Sequence, residues 1–276
     1  KDGVAVYGSF AGTETTVDAR PDVATSSPME WSSLTTVDGN ATLPCVTIDA
    51  IGDCRLDGFE LTNGRYGSSP DGGGGIKITG GCDDSVVIAN CWVNENVSTY
   101  YAGGVCVRGT SSYQVGPVVT RCWITSNVGA YGGGMEVYRS GPTVERCVFY
   151  GNSAGYDGGA IRNDGGVASL IQNCLFDRNV ITSRWGGGIY WYSSGVDAVQ
   201  HCTFVNNSAK GSSYGTGDAL YLRTGPHPYI RNNIFAHHQN QAGLVQATPV
   251  AAISGYPGAY FMEMRNNLFY NNINDW

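Results

Sequence analysis

One phrase recurs along most of this chain and limits what it can fold into: Cys-x-Phe-x-x-Asn, followed by a run of small residues rich in glycine. It is fullest from Cys147 to Ile161, where Phe149 and Asn152 precede Gly158, Gly159 and Ala160. Aligned on the cysteine, the column reads Gly58, Cys91, Cys122, Cys147, Cys174, Cys202, Asn233 and Asn267. Two residues on stand Glu60, Val93, Ile124, Phe149, Phe176, Phe204, Phe235 and Phe269. Five residues on stand Asn63, Asn96, Asn127, Asn152, Asn179, Asn207, His238 and Asn272. Successive units are about 25 to 34 residues apart, the length of a solenoid repeat.

A unit this short cannot bury a face alone and must stack on its neighbours. Its apolar residues alternate with period two, which specifies strand, and no stretch sustains the three-four spacing of a helix. Strands of one coil then pair in parallel with the equivalent strands of the next. The expected fold is all-β: a single-stranded right-handed parallel β-helix of about eight coils, a rod roughly 40 Å long at ~4.8 Å per strand. An asparagine at a turn tolerates a left-handed backbone and bonds along the stack. Glycines allow a corner where a Cβ would clash.

One domain is expected. Residues 1–57 supply an N-terminal strand, a loop and the entry to the solenoid. Residues 58–276 supply the coils, with an irregular insertion near 239–258. The chain opens almost directly on a strand and stops just after a coil with no capping helix, so it reads as a piece excised from a longer one. A net charge of -7 argues against a nucleic-acid partner, which needs a basic stripe, and against an anionic membrane surface. The sequence has no apolar run of transmembrane length, so this segment is not expected to insert in a membrane.

Five of the nine cysteines share one column. Stacked side chains with parallel Cβ vectors make poor disulfides, so a buried thiol ladder is expected there. Cys-x-x-Cys and matching His spacings are absent, and no metal site is expected. Cys45 and Cys54 flank a short hairpin and are candidates to pair. Cys82 and Cys106 are candidates to bridge adjacent coils. Such bonds would suit an extracellular location.

Phe149-Tyr-Gly-Asn152, Phe176-Asp-Arg-Asn179, Phe204-Val-Asn-Asn207 and Phe269-Tyr-Asn-Asn272, with Gly158-Gly159-Ala160-Ile161, resemble the paired repeats of bacterial polymorphic outer-membrane proteins and related β-helix surface proteins. Tyr7 to Glu14 is similar to the entry segment of such passenger regions. The resemblance spans roughly residues 1–272. It implies a secreted or surface-displayed bacterial module with adhesive or structural roles. Most glycine runs depart from the pattern, and no outer-membrane barrel follows.

Alternation after the glycine run turns Ile76, Met135, Ile161, Ile189 and Leu220 inward. It turns Lys77/Thr79, Cys106/Arg108, Glu136/Tyr138, Arg162/Asp164, Tyr190/Tyr192 and Tyr221/Arg223 outward. Tyr138, Tyr190, Tyr192, Tyr221 and Arg223 would form a carbohydrate groove, with rings for sugar faces and charges for hydroxyls or uronates. They would equally suit a plain solvated sheet. Glu136, Arg162 and Asp164 fall on adjacent coils and offer a lyase base beside acids that bind calcium or neutralise a substrate carboxylate, or the two carboxylates of a hydrolase; no cofactor is expected otherwise. Cross-strand ion pairing accounts for the same residues. A second outward line holds Phe59, Trp92, Trp123, Val148 and Leu175, a partner or assembly surface unless residues 13–34 or 239–258 cover it. Three functions stand open: a non-enzymatic module binding a glycan or cell-surface protein or serving as a spacer, a polysaccharide lyase or hydrolase, and a filament subunit stacking on copies of itself.

Overall fold

The computed structural model describes residues 3–10, 15–20, 33–49, 52–67, 72–80, 82–110, 114–165, 167–192, 198–209, 217–223, 226–238, 252–255 and 260–272. All of the strand pairings among them are parallel, as a β-helix requires. Four sheets run along the solenoid. Sheet A has nine strands, from Val4–Tyr7 and Cys54–Asp57 to Tyr260–Arg265. Sheet B has nine, from Thr35–Asp38 to Leu268–Tyr270, and sheet C eight, from Val46–Asp49 to Ile253–Gly255. A ribbon D of six two-residue strands turns the corner between B and C. Each coil runs A, B, D, C. Residues 1–57 already contribute two strands to sheet A and one each to sheets B and C, each paired to its equivalent in the next coil.

Two corners, between A and B and between B and D, repeat one geometry along the stack. The residue just before the cysteine column is left-handed: Asn90, Arg121, Arg146, Asn173, His201 and Asn232, with φ from 50 to 56°. So is the residue just before the asparagine column, at Glu95, Ser126, Gly151, Arg178, Asn206 and His237. This corrects the expectation that the ladder asparagines take that backbone. Their side chains point inward instead. Asn96, Asn127, Asn152, Asn179 and Asn207 are fully buried. The Nδ2 groups of Asn96, Asn127, Asn152 and Asn179 each donate to the Oδ1 of the next asparagine at 2.9–3.0 Å.

The first coil is slipped by one from the sequence alignment. Leu61, not Glu60, pairs with Val93, and Gly64 meets the ladder where Asn63 was expected. Phe59 is therefore buried and Glu60 faces outward. Asn63 is itself a left-handed corner residue, φ 54°, and a corner asparagine looks like a ladder asparagine in sequence. The insertion near 239–258 is also corrected in part, because Ile253–Gly255 is a strand paired with Leu220–Leu222. Its remaining residues, apart from Ala252, lie outside the described ones, as does most of 13–34.

The core stacks like on like. Phe149, Phe176, Phe204, Phe235 and Phe269 form a column with ring centroids 4.6–5.0 Å apart and nearly parallel planes. That spacing is set by the ~4.8 Å between strands. Beside them the thiols of Cys91, Cys122, Cys147, Cys174 and Cys202 each donate to the carbonyl two residues back at 3.2–3.3 Å. None of the nine cysteines forms a disulfide, including the four candidates Cys45, Cys54, Cys82 and Cys106. Burial pushes the thiols of Cys91, Cys122, Cys147 and Cys174 well up. Since the thiolate is the nucleophile, iodoacetamide at pH 8 is expected to spare these four in the folded chain and to label all nine after unfolding. Prompt native labelling of any of the four in a mass-spectrometric count would contradict the ladder.

Candidate functional site

The outward face of sheet C carries the chemistry, and its inner row is covered while Tyr192 and Arg223 stay exposed. Glu136, Tyr190, Tyr221 and Cys106 point away from the core, yet none is exposed to solvent. This corrects the expectation of a free tyrosine stripe. The cover comes from the corner between ribbon D and sheet C. Tyr100, Tyr101, Tyr131 and Tyr156 make a continuous row there, with centroids 5.3, 5.9 and 5.0 Å apart. Trp185 stacks on Tyr221 at 5.2 Å, and Tyr221 stacks on Tyr190 at 5.9 Å. Tyr100, Tyr131 and Tyr156 each stand four residues after a ladder asparagine in three successive coils. That periodicity was the signal available in sequence, and period-two alternation on the strands does not reach it because these tyrosines stand in the corner.

Guanidiniums interleave with the rings. Arg108 lies between Tyr101 and Tyr138, at 4.5 and 4.3 Å. Arg162 lies 4.9 Å from Tyr131, and Arg184 lies 4.7 Å from Tyr156. Arg223 lies 5.3 Å from Tyr192 and donates to the Tyr190 hydroxyl at 3.0 Å. Such contacts contribute on the order of 0.5–2 kcal/mol each, more where water is excluded. Tyr156 and Tyr192 remain exposed, while Tyr131 and Tyr138 are half-buried.

The expected trio is brought together. Arg162 donates through Nη1 to Glu136 Oε1 at 2.5 Å and through Nη2 to Asp164 Oδ2 at 2.7 Å. The strand register places Glu136 directly beside Arg162. Burial raises the Glu136 carboxyl to about 7, Arg162 opposes that rise, and Asp164 adds to it. Burial alone would lower Arg162, but Glu136 and Asp164 outweigh it, so the guanidinium stays charged and Glu136 is the group that titrates. Asp157, nearly buried, is raised by burial against the pull of Arg162, Arg184 and Arg223, and it pairs with Arg184 at 3.6 Å. As a catalytic pair, Glu136 and Asp164 share one guanidinium, and the Glu136 side chain has no solvent-exposed surface. Among the described residues, no group of three His, Cys, Asp or Glu is arranged to hold a metal ion.

The second line lies on the outer face of sheet B. Trp92, Trp123, Val148 and Leu175 are half-buried and lie in register on sheet B. Trp92 Nε1 donates to Thr125 Oγ1 at 2.8 Å, which spends its polar edge within the sheet.

A profile of the right-handed β-helix region family matches residues 103–275. The chain belongs to that family, in agreement with the parallel solenoid. No curated protein and no solved structure gives a significant match. No helix among the described residues is long and apolar enough to cross a membrane. The family fits a secreted or surface β-helix module in general.

Proposed function

We propose that the chain is a non-catalytic, secreted or surface-displayed module that binds an extended glycan along the ledge over sheet C. The observation that carries this is the row Tyr100, Tyr101, Tyr131 and Tyr156, continued by Arg184, with at least one ring or guanidinium in each of four successive coils. Flat rings offer apolar faces to sugars, and fixed cations orient hydroxyls or acid groups. Tyr138, Tyr192 and Arg223 lie at the outer margin of the ledge. Tyr190 and Tyr221 support it from beneath. A rigid row with one step per coil suits a linear polymer better than a compact ligand.

Affinity electrophoresis against a panel of neutral and acidic polysaccharides, with and without calcium, tests the reading. At least one polymer should retard the wild type and be recovered uncleaved. Tyr156→Ala, at an exposed ring, should weaken that retention about fivefold, the effect of roughly 1 kcal/mol from one aromatic platform. Release of unsaturated products or reducing ends would replace this reading with the lyase or hydrolase. Absence of retention across the panel would leave a spacer.

A further inference from the structure

We propose that Arg162 is a proton-gated anion subsite on the ledge, where a carboxylate or sulfate of the ligand replaces Glu136 as the partner of Nη1 once Glu136 takes a proton. This rests on the ledge reading. Its ground is a mismatch in the buried pair. Glu136 Oε1 accepts the short bond from Arg162, but Oε2 is buried with no hydrogen-bond partner among the described residues. Arg162 Nε is in the same position. A buried carboxylate satisfied at only one oxygen is costly as an anion and much less so as a neutral acid. Arg162 also borders the ledge directly, through the ring of Tyr131.

The surroundings favour an incoming anion. Glu136 faces Arg162 and Asp164 from the following strand, and Arg108 and Cys106 from the preceding one. Tyr138 lies on its own strand, Tyr101 and Tyr131 lie at the corners, and Asp157 lies beyond Arg162. Among the acids here Glu136 and Asp157 are buried, so Asp164 is the one acid offering surface, against Arg108, Arg162, Arg184 and Arg223. In the exchange, a proton neutralises Glu136 while the ligand anion takes over the charge on Nη1. The net charge of the subsite is unchanged, and no bond besides O–H is made or broken.

The direction follows from the sign of the shift. The carboxyl is raised to about 7, so the Glu136–Arg162 pair is intact at pH 8 and open at pH 6. The fraction able to take an anion goes from a minority at pH 8 to a majority at pH 6, and the apparent affinity should rise by about tenfold. Dextran sulfate and neutral dextran, titrated calorimetrically at both pH values, are the probes. Dextran sulfate should bind the wild type about tenfold more tightly at pH 6, with dextran indifferent to pH. Glu136→Gln should bind dextran sulfate at the tight limit at both values, which separates the gate from protonation of exposed histidines. A carboxyl-carbon NMR titration of the free wild type gives an independent readout and does not depend on the variant folding. Glu136 should titrate near neutrality there, with the Tyr131 ring resonances following. A flat pH response, an unaltered slope in Glu136→Gln, or titration of Glu136 below pH 5 would overturn the subsite. If Tyr156→Ala leaves dextran sulfate affinity unchanged, the ledge reading fails and the subsite with it; if Tyr156→Ala weakens binding while the response to pH is flat, the subsite alone fails.

Discussion

Asn152→Ala is expected to lower the stability of the folded chain by about 4 kcal/mol, as read from urea unfolding. The side chain sits mid-ladder and is fully buried. Its Oδ1 accepts from the backbone N–H of Asn127 at 3.1 Å and from Asn127 Nδ2 at 3.0 Å. Its Nδ2 donates to the carbonyl of Ile124 at 2.8 Å and to Asn179 Oδ1 at 2.9 Å. Alanine removes all four bonds, strands the backbone N–H of Asn127 and takes a donor from the carbonyl of Ile124 where water does not reach, while Asn127 Nδ2 keeps the carbonyl of Val93 and Asn179 Oδ1 keeps the backbone N–H of residue 152. Each buried orphan costs roughly 1–3 kcal/mol, far more than the ~1 kcal/mol net worth of a satisfied bond. Asn152→Asp keeps the acceptor, loses the donor and adds a buried charge, so it should be at least as damaging. A loss below about 1 kcal/mol for the alanine variant would mean the ladder is not holding adjacent coils together.

The ladder was legible in the sequence because stacking gives every coil the same environment at the same column. Cys147, Phe149 and Asn152 recur because each solves one local problem that returns every coil. Two things were not legible, for different reasons. Asn63 and Asn96 are the same residue type serving unlike needs, one a left-handed backbone and the other a buried amide. Composition of a column cannot tell them apart, so the first coil was read one residue out. The ledge was hidden for another reason. Period-two alternation separates inside from outside of a sheet, but it does not say whether a corner loop folds over the outside. Tyr190 and Glu136 are outward by strand geometry yet buried: Tyr190 stacks on Tyr221, which Trp185 covers, and Glu136 lies against Arg162, which faces Tyr131. The trio Glu136, Arg162 and Asp164 was correctly brought together by register, while its burial, which changes its chemistry, depended on loops of unequal length.

The corner that carries those loops is also where the stack is least forgiving, and Gly159→Ala is expected to cost about 3 kcal/mol or more. A Cβ there would lie 2.2 Å from the carbonyl oxygen of Gly187 and 2.7 Å from the backbone nitrogen of Val180. Both atoms belong to the next coil, and both are main chain. No side chain can rotate away, so relief requires separating two coils. Gly159 N–H donates to Gly186 O at 2.9 Å across that same gap, so separation also stretches the ladder bonds. Two neighbouring glycines make the comparison specific. At Gly155 the nearest atom to a new Cβ is 3.5 Å away, and Gly155→Ala should be nearly neutral. Gly151 has φ +63° with open space around it, in the column where Glu95 and Arg178 already hold φ 54°, so Gly151→Asn should also be tolerated. Thermal unfolding followed by circular dichroism would rank the three. If Gly159→Ala matched Gly155→Ala, the coils would have to be looser at this corner than the geometry requires. Gly159 connects Tyr156 and Asp157 on the ledge to Arg162 on sheet C. A folded Gly159→Ala chain should therefore lose polysaccharide retention along with stability, whereas Gly155→Ala keeps both.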